Sequence, residues 1–501
     1  MVHRGQKFAR PPPPPSTTFR SKKNSASLFS SIQQLWRECL PAFSQQRVAQ
    51  RAQALSLSSL LCLGRHTVTG LLTTAGQEFH DWSADYRLFS HSRLPSEAIF
   101  SVIRRAVLQQ LPPQAPLGVS IDDTLLRKTG IRIPGVGWRR DPLGPRFQTN
   151  FVRAQRVLQL SADIPLAGGQ HRMVPICFVA APTPVKPPAK APAEQHSAYR
   201  SACRQACLSR RASQQIVALR QSVDGDASGT ARPLYVFGDG GYTNSTVLKS
   251  LPAHTVFIGR IRNDAKLYAL PTVESRSRQR GRPRHYGAAA PTPEQIRTDE
   301  SIPWQEISIS LSGVTHSMKV KVCRPLLWRS AGLQHTLQLV VIAPLGYRLR
   351  QGSKRLYRKP AFLICTDPQL DLHTLIQGYV RRWDIEVNFR EEKTLLGVGQ
   401  AQVRNADSVE SVPALQVASY AMLLLSMARA SGDTLPAPKW ADPKMPRRQS
   451  TQQAINQLRG EVWGRALGLT NFSDLLTCTP PTSKPEKFLP HLPSAILYAT
   501  N

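Results

Sequence analysis

Four residues at fixed spacing, Tyr379, Arg382, Glu386 and Lys393, stand in the run Y-V-R-R-W-D-I-E-V-N-F-R-E-E-K. The run holds no Pro or Gly, D-L-H-T-L-I-Q precedes it, and Gly397 and Gly399 follow it, which predicts one helix from about Asp371 with a glycine stop. At about 100° per residue the four side chains fall within an arc of roughly 60°. A phenol, two bases and one acid thus share a face, whereas Asp384, Glu391 and Glu392 project away from it. Alone, this is also the pattern of an ordinary salt-bridged helix surface. Two other acids give Glu386 something to complete. In L-G-V-S-I-D-D-T, Leu117, Val119 and Ile121 alternate toward one side, so Asp122 points to the opposite face at the end of a strand. In P-L-Y-V-F-G-D-G-G-Y, a short apolar run is broken by Asp239 and two glycines, the pattern of a buried central strand with an acid at its carboxyl end.

Three carboxylates suffice to hold two divalent cations about 3.5–4 Å apart, which activate an oxygen nucleophile and stabilise the leaving oxygen of an in-line phosphoryl displacement. Mg²⁺ suits such a site because it takes oxygen ligands, keeps several waters and fills its shell with phosphate oxygens; Mn²⁺ is the expected substitute. Arg382 as a planar fork and Lys393 as a point charge would grip the phosphate. Tyr379 would cap the same phosphate or stack on an end base. Asp123 stays open as an alternative to Asp122. The alternation favours Asp122 and leaves Asp123 as a turn acid beside Thr124.

The composition names the kind of partner. The chain has 501 residues, 41% of them hydrophobic, and 65 Lys plus Arg against 32 Asp plus Glu, for a formal net charge of +33. That excess runs through every segment and points to a polyanion, nucleic acid first, because each neutralised phosphate releases condensed counterion. No uninterrupted apolar run of the roughly 20 residues needed to span a bilayer is evident, nor a signal-peptide core, so a cytoplasmic protein without membrane association is expected. The eight cysteines are scattered, with only Cys203 and Cys207 close together, and read as reduced thiols rather than metal ligands.

The elements that must position the acids follow in order. Residues 1–28 form a basic, proline-rich arm expected to be disordered. Residues 29–112 read as helical; within them Gly64 to Leu72 would open the second helix of a helix-turn-helix, with Arg65, His66 and Thr67 near its N-terminus, a pattern that any small helical bundle also contains. Strands and crossovers of an α/β core occupy 113–261, including a helix from about Tyr199 to Val223. Alternating, antiparallel-type strands over 262–360 read as a β-rich insertion. Ahead of those strands, R-G-R-P-R brings Arg280, Arg282 and Arg284 into an extended segment of the kind that follows a narrow A·T minor groove, or equally a plain solvated basic loop. The rest of the core with the Glu386 helix spans 361–430 and includes a very apolar packing helix; 431–501 is a basic tail with no obvious site.

Y-x2-R-x3-E-x6-K, filled by Tyr379, Arg382, Glu386 and Lys393, resembles the Y-R-E-K signature of bacterial insertion-sequence transposases of the DDE type. The I-D-D-T and F-G-D-G-G-Y segments look like that group's two earlier acidic motifs, in the right order, and a β-rich insertion before the Glu is similar to theirs. The resemblance covers roughly residues 55 to 430. It implies a ribonuclease-H-like mixed-sheet core, preceded by a helical DNA-binding region. Asp122, Asp239 and Glu386 would be the catalytic metal ligands. It further implies cleavage of double-stranded DNA at terminal inverted repeats, strand transfer into target DNA, and a homodimer on paired ends in the bacterial cytoplasm, associated with the nucleoid. Some relatives close a hairpin with a flipped base on a tryptophan of the insertion, for which Trp304 and Trp328 both stand in the right region. A DNA-binding protein descended from such an enzyme, or a structure-selective nuclease without strand transfer, are the alternatives.

Overall fold

The computed structural model describes residues 27–467 apart from 142–143, 146, 167–169, 227–231, 272–284, 312–313, 348–351 and 431–449. The basic arm to residue 26, the R-G-R-P-R segment with Arg280, Arg282 and Arg284, and the chain beyond 467 lie outside the described residues.

Strand β1 (Leu117–Arg127) is the axis of the sheet. Leu117, Val119, Ser120 and Ile121 are all buried, so its first half is covered on both faces, as a central strand of a helix-flanked sheet must be. One edge of β1 pairs in parallel with β5 (Leu234–Gly238), which pairs in parallel with β6 (Thr255–Arg260). The other edge runs antiparallel to β3 (Phe151–Pro165), itself paired to β2 (Gly137–Arg140) at its start and β4 (His171–Ala180) along the rest. Beyond β6 the sheet continues antiparallel through β12 (Ala361–Cys365), β9 (Gly332–Ile342), β8 (Val314–Trp328) and β7 (Gln305–Leu311). The alternating strands of the insertion are therefore hydrogen-bonded onto the core sheet through β12. A small ribbon, β10 (Gly346–Tyr347) with β11 (Leu356–Tyr357), stands apart. This is a mixed α/β fold with the ribonuclease-H-like arrangement expected.

Among the described residues five α-helices precede the sheet: α1 (Leu28–Cys39), α2 (Gln46–Leu61), α3 (Val68–Thr74), α4 (Ser83–Ser90) and α5 (Ser96–Gln110). The crossover carries α6 (Ala193–Gln205) and α7 (Leu208–Asp224), two helices where one was expected, and α8 (Ser245–Leu248) follows β5. A short α9 (Pro293–Thr298) lies within the insertion. After β12 come α10 (Leu372–Arg381), α11 (Asp384–Thr394), α12 (Ala406–Ala430) and α13 (Thr451–Leu467). Helix α12 is apolar around its whole circumference, and it is the one described helix long and apolar enough to cross a membrane. Here it is a core helix, buried against β4, α1, α2 and α5. The N-terminal helices thus share one hydrophobic core with the sheet. Helix α13, within the segment read as a tail, closes over α1, where the Glu461 carboxylate accepts from the Leu28 and Phe29 amides and satisfies two orphan donors. The seven described cysteines are free thiols.

Candidate active site

Asp122 is placed by pairing register. Ser120 of β1 stands opposite Phe237 of β5, so two residues further on Asp122 comes level with Asp239, just past the end of β5. The expectation that Asp122 ends its strand is corrected: β1 runs on to Arg127, held by β3, and Asp122 sits where the parallel neighbour stops. Asp239 is fixed by its own turn, its Oδ1 accepting from the Gly241 and Tyr242 amides at 2.8 and 3.3 Å. Asp122 Oδ1 accepts from the Asp123 amide at 2.8 Å. The neighbouring Asp123 is turned to other partners: Arg156 Nε lies 2.9 Å from its Oδ2, and the Tyr242 hydroxyl donates to its Oδ1 at 2.8 Å.

The expected single helix is two. Around Arg382 and Trp383 the amides reach back three residues instead of four, Trp383 to Val380, Ile385 to Arg382 and Glu386 to Trp383, which tightens the chain between α10 and α11. No Pro or Gly lies between Tyr379 and Glu386, and the contacts that hold the tightened stretch are tertiary. Arg381, the last residue of α10, donates to Asp163 Oδ2 at 2.9 Å, and Asp163 Oδ1 lies 3.0 Å from His171 Nδ1. His171 Nε2 lies 4.0 Å from Asp384, the first residue of α11. One buried Asp–His pair on β3 and β4 thus engages both sides of the tightened turn.

The turn aims Arg382 at the acids. Arg382 is 8% exposed, its Nη1 is 3.9 Å from Asp122 Oδ2, and its guanidinium lies over the Tyr379 ring at 5.4 Å. Burial, and then the nearby Asp239 charge, push the Asp122 carboxyl up to about 7, with Arg382 pulling the other way. Burial also raises Glu386, again opposed by Arg382 and reinforced by Asp239, so all three acids feel one another or the same guanidinium. Tyr379 is held protonated by burial beside Arg382, Arg260 and Asp239. The fourth member of the predicted face stands further along: Lys393 Nζ donates to Thr124 Oγ1 at 2.6 Å, two residues beyond Asp122 on the same side of β1, and burial lowers its pKa. The three acids set aside are used elsewhere. Asp384 faces His171, Glu391 accepts from Tyr420 and Thr451, and Glu392 accepts from Gln159.

The donor set suits a hard divalent cation. It is all oxygen, it is crowded with like charge, and Arg382, the one guanidinium among the described residues within 4 Å of Asp122, leaves negative charge uncompensated. Among the described residues no three acidic, imidazole or thiol groups already stand close enough to grip one ion, so the fit is one of donor type and charge rather than preformed coordination.

Other predicted residues fall outside this cluster. Helix α3 begins only at Val68, capped by the Thr67 hydroxyl, and spans seven residues with Val68, Gly70, Leu71, Leu72 and Thr74 buried. His66 is buried too; its amide donates to Gln400 Oε1 at 2.8 Å and burial lowers its pKa to about 4. The expectation that His66 reads a base edge is therefore corrected, while Arg65 remains on the surface. Of the two tryptophans, Trp328 lines a cavity of about 730 Å³ with Gly240, Arg260, Arg262 and Lys359, beside the Asp239 turn. Trp304 lies under Lys321, 4.7 Å from its ring centre.

Sequence reasoning missed the Asp163–His171 clamp and the Glu392–Gln159 pair. It also missed Lys128, whose buried Nζ donates to the Gly399 and Ala401 carbonyls and ties the end of β1 to the loop after α11. None has a local signal: Arg381 and Asp163 are 218 residues apart in the chain, and Lys128 and Gly399 271.

A family profile described as DDE superfamily endonuclease matches residues 38–334, more than half of the chain. The match takes in Asp122 and Asp239 and ends before Glu386. No curated protein matches significantly.

Proposed function

The chain belongs to the DDE superfamily of endonucleases, and on that footing we propose that it is a transposase of the Y-R-E-K insertion-sequence type, cutting DNA at element ends and joining them to a target. What supports this reading is that the buried Arg382 lies 3.9 Å from Asp122, and that Asp122 and Glu386 each feel both Arg382 and the Asp239 charge. In this reading the three carboxylates hold Mg²⁺, or Mn²⁺ in its place. Bound there, a divalent ion would supply the charge that activates the attacking oxygen and steadies the leaving one. Arg382 is stacked on Tyr379 and turned toward Asp122, so it meets a phosphate oxygen without reorganising. Tyr379, held protonated, donates a hydrogen bond. Lys393 steadies the strand through its seat on Thr124. The partners are double-stranded DNA with terminal inverted repeats, target DNA, and a second copy of the chain on the paired end, in the bacterial cytoplasm at the nucleoid. If second-strand cleavage goes through a hairpin, Trp328 is the tryptophan we assign to the flipped base, because it lines the cavity beside the Asp239 turn.

The test uses purified protein, Mg²⁺ and DNA carrying the inverted repeats that flank the coding region. Wild type should nick at the repeat boundary and join the freed 3′-hydroxyl to a plasmid, and Asp239→Ala and Glu386→Gln should do neither. No nick with wild type, or equal cutting by the variants, would sink the assignment. Nicks without joined products would select a nuclease, and binding without cleavage that Asp239→Ala leaves unchanged would select an inactive DNA-binding descendant.

A further inference from the structure

Hairpin β2–β3 carries a pattern that the three acids do not explain. In its register Trp138 stands opposite Arg153 and Arg140 opposite Phe151, and directly opposed residues of an antiparallel pair share one face. That face is a small checkerboard in which each aromatic ring has an arginine across the ladder. Trp138 is 68% and Phe151 57% exposed, and Arg140 is exposed beside them. Rings of this size are normally buried, and leaving two on one face beside cations forgoes about 1.5–3 kcal/mol of burial for each. The opposite face of the hairpin is engaged within the fold, where Arg139 donates to Thr183.

The face is also in line with the acids. Along β3 the residues on the Trp138 side are Phe151, Arg153, Gln155, Val157 and Gln159, and β1 places Leu126, Thr124 and Asp122 opposite the last three. The checkerboard and Asp122 therefore lie on one side of one sheet, with the nearer pair, Trp138 and Arg153, six residues or about 20 Å from Asp122. At 3.4 Å per phosphate along one strand of a duplex, that is about six nucleotides. Between them the sheet is roofed by α11 and the loop to Ala401, and Arg390 and Arg404, on α11 and just past that loop, are exposed.

We propose that the Trp138–Arg140–Phe151–Arg153 face binds an unpaired stretch of DNA, its bases stacking on the two rings and its phosphates meeting the arginines, about six nucleotides from the acids. The proposal rests on the reading above only in taking DNA as the substrate. Unpaired DNA is favoured over duplex because a paired base offers no face to a ring, whereas a single strand offers one per nucleotide. Arginine across from each ring supplies the complementary charge.

The full chain is tested in EDTA, so that no cutting intervenes, by fluorescence anisotropy at one fixed salt concentration. The probes are a labelled blunt 20-base-pair duplex and the same duplex with an eight-nucleotide single-stranded extension. Wild type should prefer the extended probe. The double variant Trp138→Ala/Phe151→Ala should lose at least about tenfold on that probe, since each stacked base contributes roughly 1–3 kcal/mol, and should change less than twofold on the blunt duplex. Trp138→Tyr/Phe151→Tyr, which keeps both rings, should restore the preference and guards against a folding defect in the alanine variant. Arg140→Ala should lower the salt slope on the extended probe by about 0.7. Equal loss on both probes, no loss on either, or no preference by wild type would overturn the proposal. So would a dimer in light scattering that the alanine variant dissolves with DNA affinity unchanged, which would assign the face to a second copy. Binding as predicted without Mg²⁺-dependent cleavage would leave this proposal standing and remove the transposase reading; no DNA binding at all would remove both.

Discussion

Glu392 offers the sharpest test of how the helix carrying Glu386 is seated. It is fully buried on α11, and its Oε1 accepts from Gln159 Nε2 at 2.9 Å. Gln159 is the residue of β3 directly opposite Asp122. Burial pushes the Glu392 carboxyl from its ordinary 4.5 to about 8, so in the folded protein it is largely a neutral acid at pH 7. An acid with a raised folded-state pKa makes the native state bind more protons than the unfolded chain. Stability is then whole below the unfolded value of 4.5 and falls as the pH climbs through the window to about 8. At 1.36 kcal/mol per pH unit the full loss is of order 5 kcal/mol. Glu392→Gln keeps the shape and the acceptor for Gln159 and has no charge to bury. It should match wild type within about 1 kcal/mol at pH 4.5 and exceed it by several kcal/mol at pH 9, a urea midpoint shift on the order of 1 M. Denaturation curves for both proteins at half-unit steps of pH give the difference directly, with every other titrating group cancelling. A difference that stays flat, or that grows as the pH falls, would refute the reasoning.

Four further substitutions separate position from chemistry. Asp122→Asn should leave the melting temperature at or above wild type while abolishing nicking, whereas Asp123→Ala, which strands Arg156 and the Tyr242 hydroxyl, should cost about 1–3 kcal/mol in a denaturant titration. Gly378→Ala would set a Cβ hard against the Phe237 ring, two residues before Asp239; overpacking there should cost about 1–3 kcal/mol in the same titration and slow nicking more than DNA binding, because the displaced α10 carries Tyr379 and leads directly into Arg382. Tyr420→Phe removes one of two hydroxyls that donate to the Glu391 carboxylate and should lower stability by about 1.5–3 kcal/mol, read by denaturation, without changing the cleavage site.

What could be read in advance was whatever is local. Period-two alternation located β1 and the strands of the insertion, a continuous apolar run located β5, and apolar residues on every side marked α12 as a core helix. The three candidate acids could be picked out because each lies in or beside such a local pattern. What escaped was set by contacts across the chain. Nothing in Y-V-R-R-W-D-I-E announces a tightened turn, since every residue there is an acceptable helix former; the turn exists because Asp163 and His171 engage Arg381 and Asp384. His66 looked like a base reader from its neighbours, and only the return of the chain at Gln400 shows it buried. The insertion was legible as antiparallel strands, but not its hydrogen bonding onto the core sheet, because β12, which joins the two, is only five residues long.

The tightened turn also reconciles two facts that pull apart: a chain of net charge +33 and a site where carboxylates outnumber the single buried arginine beside them. A phosphate drawn in by the general field meets repulsion over the last few ångströms unless cations enter with it. Burial first, and the Asp239 charge after it, raise Asp122 to about 7 in the protein alone, so part of that shift reflects the same unmet charge. The basic surface can therefore hold DNA in EDTA, whereas seating of the scissile phosphate should require the divalent ion. Protection of the phosphates nearest the cut should then appear only with metal, and protection elsewhere along the probe should not depend on it. Footprinting with Ca²⁺, which takes the same oxygen donors, against EDTA separates the two, and identical footprints would mean that the three acids do not meet the DNA.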